Sequence, residues 1–251
     1  MSSTQRNSVL RLQKNQQGKD YIVGDIHGHF ELFDLLLKEL AFNPECDRMI
    51  SVGDGIDRGP ESNRVLEYWQ QPWFYAVRGN HEAMLMAARE HKPGIYGLWM
   101  ANGGEWAEQV SEALLDEMAT YFAELPYAIS VETEYGDVGV VHADMPMNLN
   151  WQQLLDKLEN QQITERELQV LLWSRESYRK LRLSREYVGA IREYKIDKVH
   201  KVYVGHCVVD TPTLFGNMMF IDTGAYCNGN LTAVDLSTEE LIIVQAGVAA
   251  Y

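Results

Sequence analysis

Apolar and polar positions along the 251-residue chain fall into two rhythms. Six short apolar runs stop at, or within two residues before, an Asp, Asn or His: YIVGD (21–25), MISVGD (49–54), FYAVRGN (74–80), VGVVHAD (138–144), VYVGH (202–206) and MMFIDTG (218–224). Each predicts a strand that delivers a polar side chain at its C-terminal end. Helical spacing separates the first three: FELFDLLLKELAF (30–42), apolar at 32, 33, 35, 36, 37 and 40, and ESNRVLEYWQ (61–70). A β-α-β-α-β start predicts parallel strands whose C-terminal ends share one edge, the edge at which such sheets hold ligands.

The middle of the chain reads as helix over EAMLMAARE (82–90) and EWAEQVSEALLDEMATYFAEL (105–125). Further on, Thr164 and Glu167 form a capping box, with Ile163 and Leu168 as a hydrophobic staple, for a helix running towards Trp173. Turns at Tyr135-Gly136-Asp137 and Gly216-Asn217 predict strand pairs, and LTAVDL (231–236) and LIIVQAG (241–247) follow. Antiparallel β-structure thus joins an α/β first half. With no internal repeat, the organisation reads as a polar tail over 1–19 and a single domain over 20–251.

Composition narrows the class. With 46% hydrophobic residues the chain can bury a full core, and its apolar runs are too short to span a bilayer. The polar N-terminus lacks a signal-peptide core, so no membrane contact and a cytoplasmic location are expected. Cys46, Cys207 and Cys227 form no Cys-x-x-Cys pair, and reduced thiols are expected. A net charge of -14 argues against a nucleic-acid partner. From Arg175 to Lys201, however, nine basic residues face four acidic ones. That stretch is either a solvated helix face or a basic rim for an anionic substrate.

Singly, an Asp at a strand end is commonly a turn former or helix cap, and a lone His is commonly a hydrogen-bonded structural residue. Together, Asp25, His27, Asp54, Asn80, His142 and His206 give three imidazoles, two carboxylates and an amide at predicted strand ends. Mixed N/O ligands suit manganese, iron or zinc rather than calcium, and six of them suit two ions sharing a bridging carboxylate. In VGDGIDRGPE (52–61), Asp57 and Arg58 read either as a surface ion pair or as a phosphate fork beside an orienting carboxylate.

GDIHG, GDGIDRG, RGNHE, HAD and GH, in this order, resemble the signature set of the metal-dependent phosphoprotein phosphatases of the PPP superfamily. WMANGGEW (99–106), LLWSRE (171–176) and FIDTGA (220–225) extend the resemblance to its bacterial and phage lambda-type branch, over roughly residues 20–236. The resemblance implies a mixed α/β (α+β) fold, the calcineurin-like metallophosphoesterase β-sandwich of mixed sheets flanked by helices. It also implies phosphate removal from phosphoserine and phosphothreonine in proteins, with phosphotyrosine as a further class. Attack would come directly from a hydroxide bridging two divalent ions, manganese first, iron or zinc otherwise. Asp25 and His27 would hold one ion, Asp54 would bridge, and Asn80, His142 and His206 would complete the other. His81, oriented by Asp57, would be the general acid, and Arg58 and Arg175 would clamp the phosphate, with Asn80 also at the substrate. Phosphorylated proteins or peptides would be the partners of a monomer. Dinucleoside polyphosphate hydrolysis at the same metal site is the alternative, and a non-catalytic phospho-binding module a second.

Departures from the family pattern stand at Gly55, where a bulky apolar residue is usual, at His29 and at Cys207. His29 is expected in a solvent-facing or hydrogen-bonded role rather than as an added ligand, and Cys207 as a small packed residue. Trp99, Trp106, Trp151 and Trp173 read either as lining a groove or, the preferred reading, as aromatic core packing.

Overall fold

The six strands expected from the apolar runs all form, and they divide evenly between two sheets. A computed structural model describes residues 8–186 and 194–247. The strands are β1 (Val9–Leu12), β2 (Asp20–Val23), β3 (Arg48–Ser51), β4 (Phe74–Ala76), β5 (Ala128–Thr133), β6 (Gly136–Val140), β7 (Lys201–Val204), β8 (Thr213–Phe215), β9 (Met218–Phe220), β10 (Asn230–Asp235) and β11 (Leu241–Gln245). One sheet has the order β11-β10-β2-β3-β4 and the other β1-β5-β6-β7-β9-β8. Strands β2, β3 and β4 run parallel in the first, as do β6, β7 and β9 in the second. Each sheet therefore turns three strand ends towards one edge.

Covering both faces of each sheet makes the strands buried on alternate sides. Ile22, Ile50, Val140, Tyr203 and Val234 pack between the sheets. Their neighbours Tyr21, Val23 and Met49 pack instead against α1 (Phe30–Glu39), α2 (Val65–Trp69), α3 (Asn80–Arg89) and α5 (Glu112–Ala123); the short α4 (Ile95–Met100) adds Trp99. Val202 and Val204 pack against α6 (Trp151–Glu159), α7 (Glu165–Trp173) and α8 (Glu176–Glu186). The period of two along a strand sends successive side chains into different layers, which explains the near-continuous apolar runs. The result is a helix, sheet, sheet, helix sandwich of mixed sheets, the mixed α/β fold class expected.

Three details differ from or sharpen the expectations. Residues 9–12, expected within a loose tail, form β1: Val9 and Leu12 are buried, and the strand pairs in parallel with Ala128–Val131. The helix expected over 105–125 is broken into a 3-10 turn (Gly104–Gln109) and α5, because Ser111 adopts an extended conformation and its hydroxyl accepts the Leu114 N–H. The Thr164 cap forms as expected, with Thr164 Oγ1 accepting the Glu167 N–H and the Glu167 carboxylate accepting the Thr164 N–H.

Arg78 joins β4 to α5. Its guanidinium donates to the carbonyls of Phe122, Ala123 and Leu125, where α5 ends, and to Tyr127 Oη. A cation at a helix C-terminus suits both the free carbonyls and the helix dipole. Part of the basic stretch, 187–193, lies outside the described residues. No helix among those described is long and apolar enough to cross a membrane.

Candidate active site

Asp25 and His27 follow β2, Asp54 follows β3, and Asn80 opens α3 just after β4. His142 and His206 come two residues after β6 and β7. The two parallel triplets thus bring together all six residues expected as ligands, at one end of the sandwich. His27, Asp54, Asp57, Arg58 and His206 all have positive φ, between 46° and 72°. Such strain in non-glycine residues persists where surrounding structure holds it, commonly at sites of function.

The imidazoles are oriented from behind. His27 Nδ1 donates to Ile56 O at 2.9 Å and His142 Nδ1 to Val52 O at 2.8 Å, which turns each Nε2 inward. Asp54 Oδ2 lies 3.4 Å from His142 Nε2, 3.7 Å from His27 Nε2 and 3.8 Å from His81 Nε2. Asn80 Oδ1 lies 2.8 Å from His142 Nε2 and 3.0 Å from His206 Nδ1. Among the described residues two sets of donor atoms lie close enough to hold an ion, His27–Asp54–His81 and Asp54–His142–His206, and Asp54 belongs to both. Among the described residues, buried Asp25 Oδ1 and His81 Nε2 have no hydrogen-bond partner, as expected of groups aimed at a cation or substrate. The donor set therefore fits two divalent ions. His81 and Asp25 compete for the first of them on geometry alone.

Electrostatics agree with a cation-binding cluster. Burial opposes the charge of Asp54, but His142, His81 and His27 outweigh it and hold the carboxylate well below its ordinary range. Burial, with Asp222 and Asp54 nearby, pushes Asp25 well above that range. Burial and the neighbouring His142 push His206 down to about 3, which keeps its imidazole neutral.

Glu82 has a larger part than its place in RGNHE suggested. Its buried carboxylate accepts the backbone N–H groups of Asp54, Gly55 and Gly79, binding the β3 loop to the start of α3. His81 N–H donates to Asp54 Oδ1 at 3.1 Å, and His81 Nδ1 donates to Asp57 Oδ2 at 2.6 Å. The run RGNHE thus ends a strand with an amide and an imidazole because a helix N-terminus starts there and carries both into the cluster.

Arg58 and Arg175 are exposed at the rim. Arg58 Nη1 donates to His27 Nε2 at 2.7 Å, and its guanidinium lies 4.2 Å from the Tyr226 ring centroid. Arg175 Nε lies 3.4 Å from His206 Nε2. His29 is set apart from both donor groups, at the N-terminal boundary of α1 beside Pro60 and Glu61, and its side chain makes no capping hydrogen bond. Cys207 is buried, and burial pushes its thiol up to about 12, in keeping with a packed residue. Gly55 packs directly on Trp69.

Residues 21–207 match the calcineurin-like phosphoesterase family. The chain belongs to that family. Serine/threonine-protein phosphatase 2 of Salmonella typhimurium is 36% identical over 216 residues, covering 84% of this chain and 90% of the relative. The symmetrical bis(5'-nucleosyl)-tetraphosphatase of a Shewanella species is 42% identical over 69 residues only, 27% of this chain and 25% of the relative. Among solved structures, a protein serine/threonine phosphatase from Saccharomyces cerevisiae shares the fold at TM-score 0.64 and 18% identity, over 98% of this chain and 86% of that one.

Two groups escaped the sequence reading. Asp222 is buried, pushed up to about 6 by burial, and its Oδ2 has no hydrogen-bond partner among the described residues. Its signal was present, since MMFIDTG ends like the other five runs. Trp99 and Trp106, expected as core packing, also aim their indole N–H groups at Asp57. Nothing local in WMANGGEW reveals that.

Proposed function

We propose that this family member is a metal-dependent phosphomonoesterase of phosphoserine and phosphothreonine in proteins, with phosphotyrosine as a further class. The observation that carries the chemistry is the convergence of Asp25, His27, Asp54, Asn80, His142 and His206 around one shared carboxylate, with two guanidiniums at the rim. The protein substrate is supported by similarity to a serine/threonine-protein phosphatase along most of both chains.

In this reading Asp25, His27 and Asp54 would hold one ion, and Asp54, Asn80, His142 and His206 would hold the other. Manganese is the first choice, iron or zinc the next. Two such ions would supply Lewis-acid activation of an attacking water and neutralisation of phosphate charge. The chain's own residues do the rest. Arg58 and Arg175 bind phosphate oxygens as planar forks, and Asn80 adds its amide from the helix N-terminus. His81, fixed through Nδ1 by Asp57, delivers a proton from Nε2 to the leaving alkoxide. No residue needs to form a covalent phosphoenzyme. The chain acts as a monomer of one domain in the cytoplasm.

A second reading keeps the site and changes the substrate to a dinucleoside polyphosphate, favoured by the 69 residues similar to the tetraphosphatase. Initial rates on manganese-loaded protein, measured side by side for a phosphoserine peptide, a phosphotyrosine peptide and diadenosine tetraphosphate, separate them. Preference for the peptides is expected. Preference for the dinucleotide overturns the substrate assignment, and peptide binding without turnover indicates a phospho-binding module.

A further inference from the structure

The carboxylate of Asp57 accepts more hydrogen bonds than its pairing with His81 requires. The residue is completely buried. Oδ2 accepts from His81 Nδ1 at 2.6 Å and from Trp99 Nε1 at 3.0 Å. Oδ1 accepts from Trp106 Nε1 at 2.7 Å and from Trp99 Nε1 at 3.0 Å. The two indoles pack edge to face, 6.3 Å between centroids, and Trp99 is itself buried.

The segment carrying them is fitted to the Asp57 turn. Arg58 N–H donates to Gly103 O at 3.0 Å, and a Cβ on Gly103 would fall 2.6 Å from Arg58 N. A Cβ on Gly104 would fall 2.8 Å from Trp99 Nε1. Both glycines therefore allow the backbone to approach closely enough for the indoles to reach one carboxylate.

An indole N–H only donates and carries no charge. Indoles serving only as core filling would find any carbonyl sufficient. Two converging on one buried carboxylate replace its lost water without adding a countercharge that competes with His81 for it.

We propose that Trp99 and Trp106 are positioning residues for proton delivery by His81: their N–H groups fix the plane of the Asp57 carboxylate, which fixes the His81 ring and aims Nε2 at the leaving group. The inference rests on the reading of His81 as proton donor. A loose carboxylate would let the imidazole turn, and a ring displaced by a fraction of an ångström transfers its proton poorly.

The test replaces Trp106 by β-(3-benzothienyl)alanine, which keeps the ring size but substitutes sulfur for the N–H, with Trp106→Phe as the coded counterpart. Turnover is measured on a phosphoserine peptide, whose alkoxide needs a proton, and on p-nitrophenyl phosphate, whose leaving group does not. His81→Asn in the same assay is the reference. The isostere is expected to lose about tenfold in kcat on the peptide and less than about twofold on p-nitrophenyl phosphate, with KM unchanged. In metal-free protein the Trp106 indole proton is expected downfield by NMR and shifted in Asp57→Asn. Equal losses on both substrates, or no loss on either, overturn the positioning role while leaving His81 as the donor. If His81→Asn itself shows no dependence on the leaving group, the donor reading fails and the positioning role falls with it.

Discussion

Gly55 departs from the family pattern beside the carboxylate shared by both ligand groups, and Trp69 accounts for it. A Cβ built on Gly55 would fall 2.4 Å from Trp69 Cζ2 and 2.9 Å from Cε2. The indole is buried and fills the space a side chain at 55 would use. Gly55→Leu alone should therefore overpack the site, destabilising by about 2–3 kcal/mol. Trp69→Leu alone should leave a cavity and cost about 2–3 kcal/mol, at the lower end for a buried aromatic because Trp69 Nε1 has no hydrogen bond to lose among the described residues. In the double variant the leucine introduced at position 55 enters the space vacated by the indole, and the loss should be about 1–2 kcal/mol rather than the sum of about 5. Urea denaturation of the metal-free protein at fixed pH measures all four corners of the cycle. In thermal terms the double variant should recover most of a combined drop of about 10–20 °C. Manganese titration adds a functional readout: Gly55→Leu should weaken binding through its neighbour Asp54, and the double variant should restore it. Additivity within about 0.5 kcal/mol would refute the view that a small residue at 55 and a large one at 69 form one complementary pair.

Asp54→Asn should weaken both ions, raising manganese dissociation constants at least about tenfold, since one carboxylate serves both donor sets; a variant that still binds two ions tightly by calorimetry would end the bridging role. His81→Asn should keep both ions, and loss of one would move His81 from proton donor to ligand. Arg175→Ala should reduce kcat/KM on a phosphoserine peptide far more than Arg179→Ala; equal effects would make the basic segment a general surface rather than a site. Arg78→Met removes four hydrogen bonds that end α5 and hold β4, so unfolding free energy should fall by about 4–6 kcal/mol, and a loss below about 1 kcal/mol would contradict that anchoring role.

What the sequence determined by itself was local or periodic. The six apolar runs each became a strand because alternate side chains have a layer to enter on either face, and Thr164 capped α7 because capping involves residues only three apart. The gathering of Asp25, His27, Asp54, Asn80, His142 and His206 could also be read, since each stands a fixed few residues beyond a strand end and parallel strands share an edge. Tertiary structure decided how the strands divided. Nothing in VGVVHAD or VYVGH says that β6 and β7 belong to a different sheet from β2 and β3, because pairing partners are chosen by long-range packing. β1 became a strand only because β5 offered it an edge. Trp69 filling the space at Gly55, Glu82 binding two loops and two indoles meeting on Asp57 depend on chain segments far apart in sequence. Burial turned those side chains from filler or helix cap into parts of the site, because a polar group without water must find its partner wherever the fold places one.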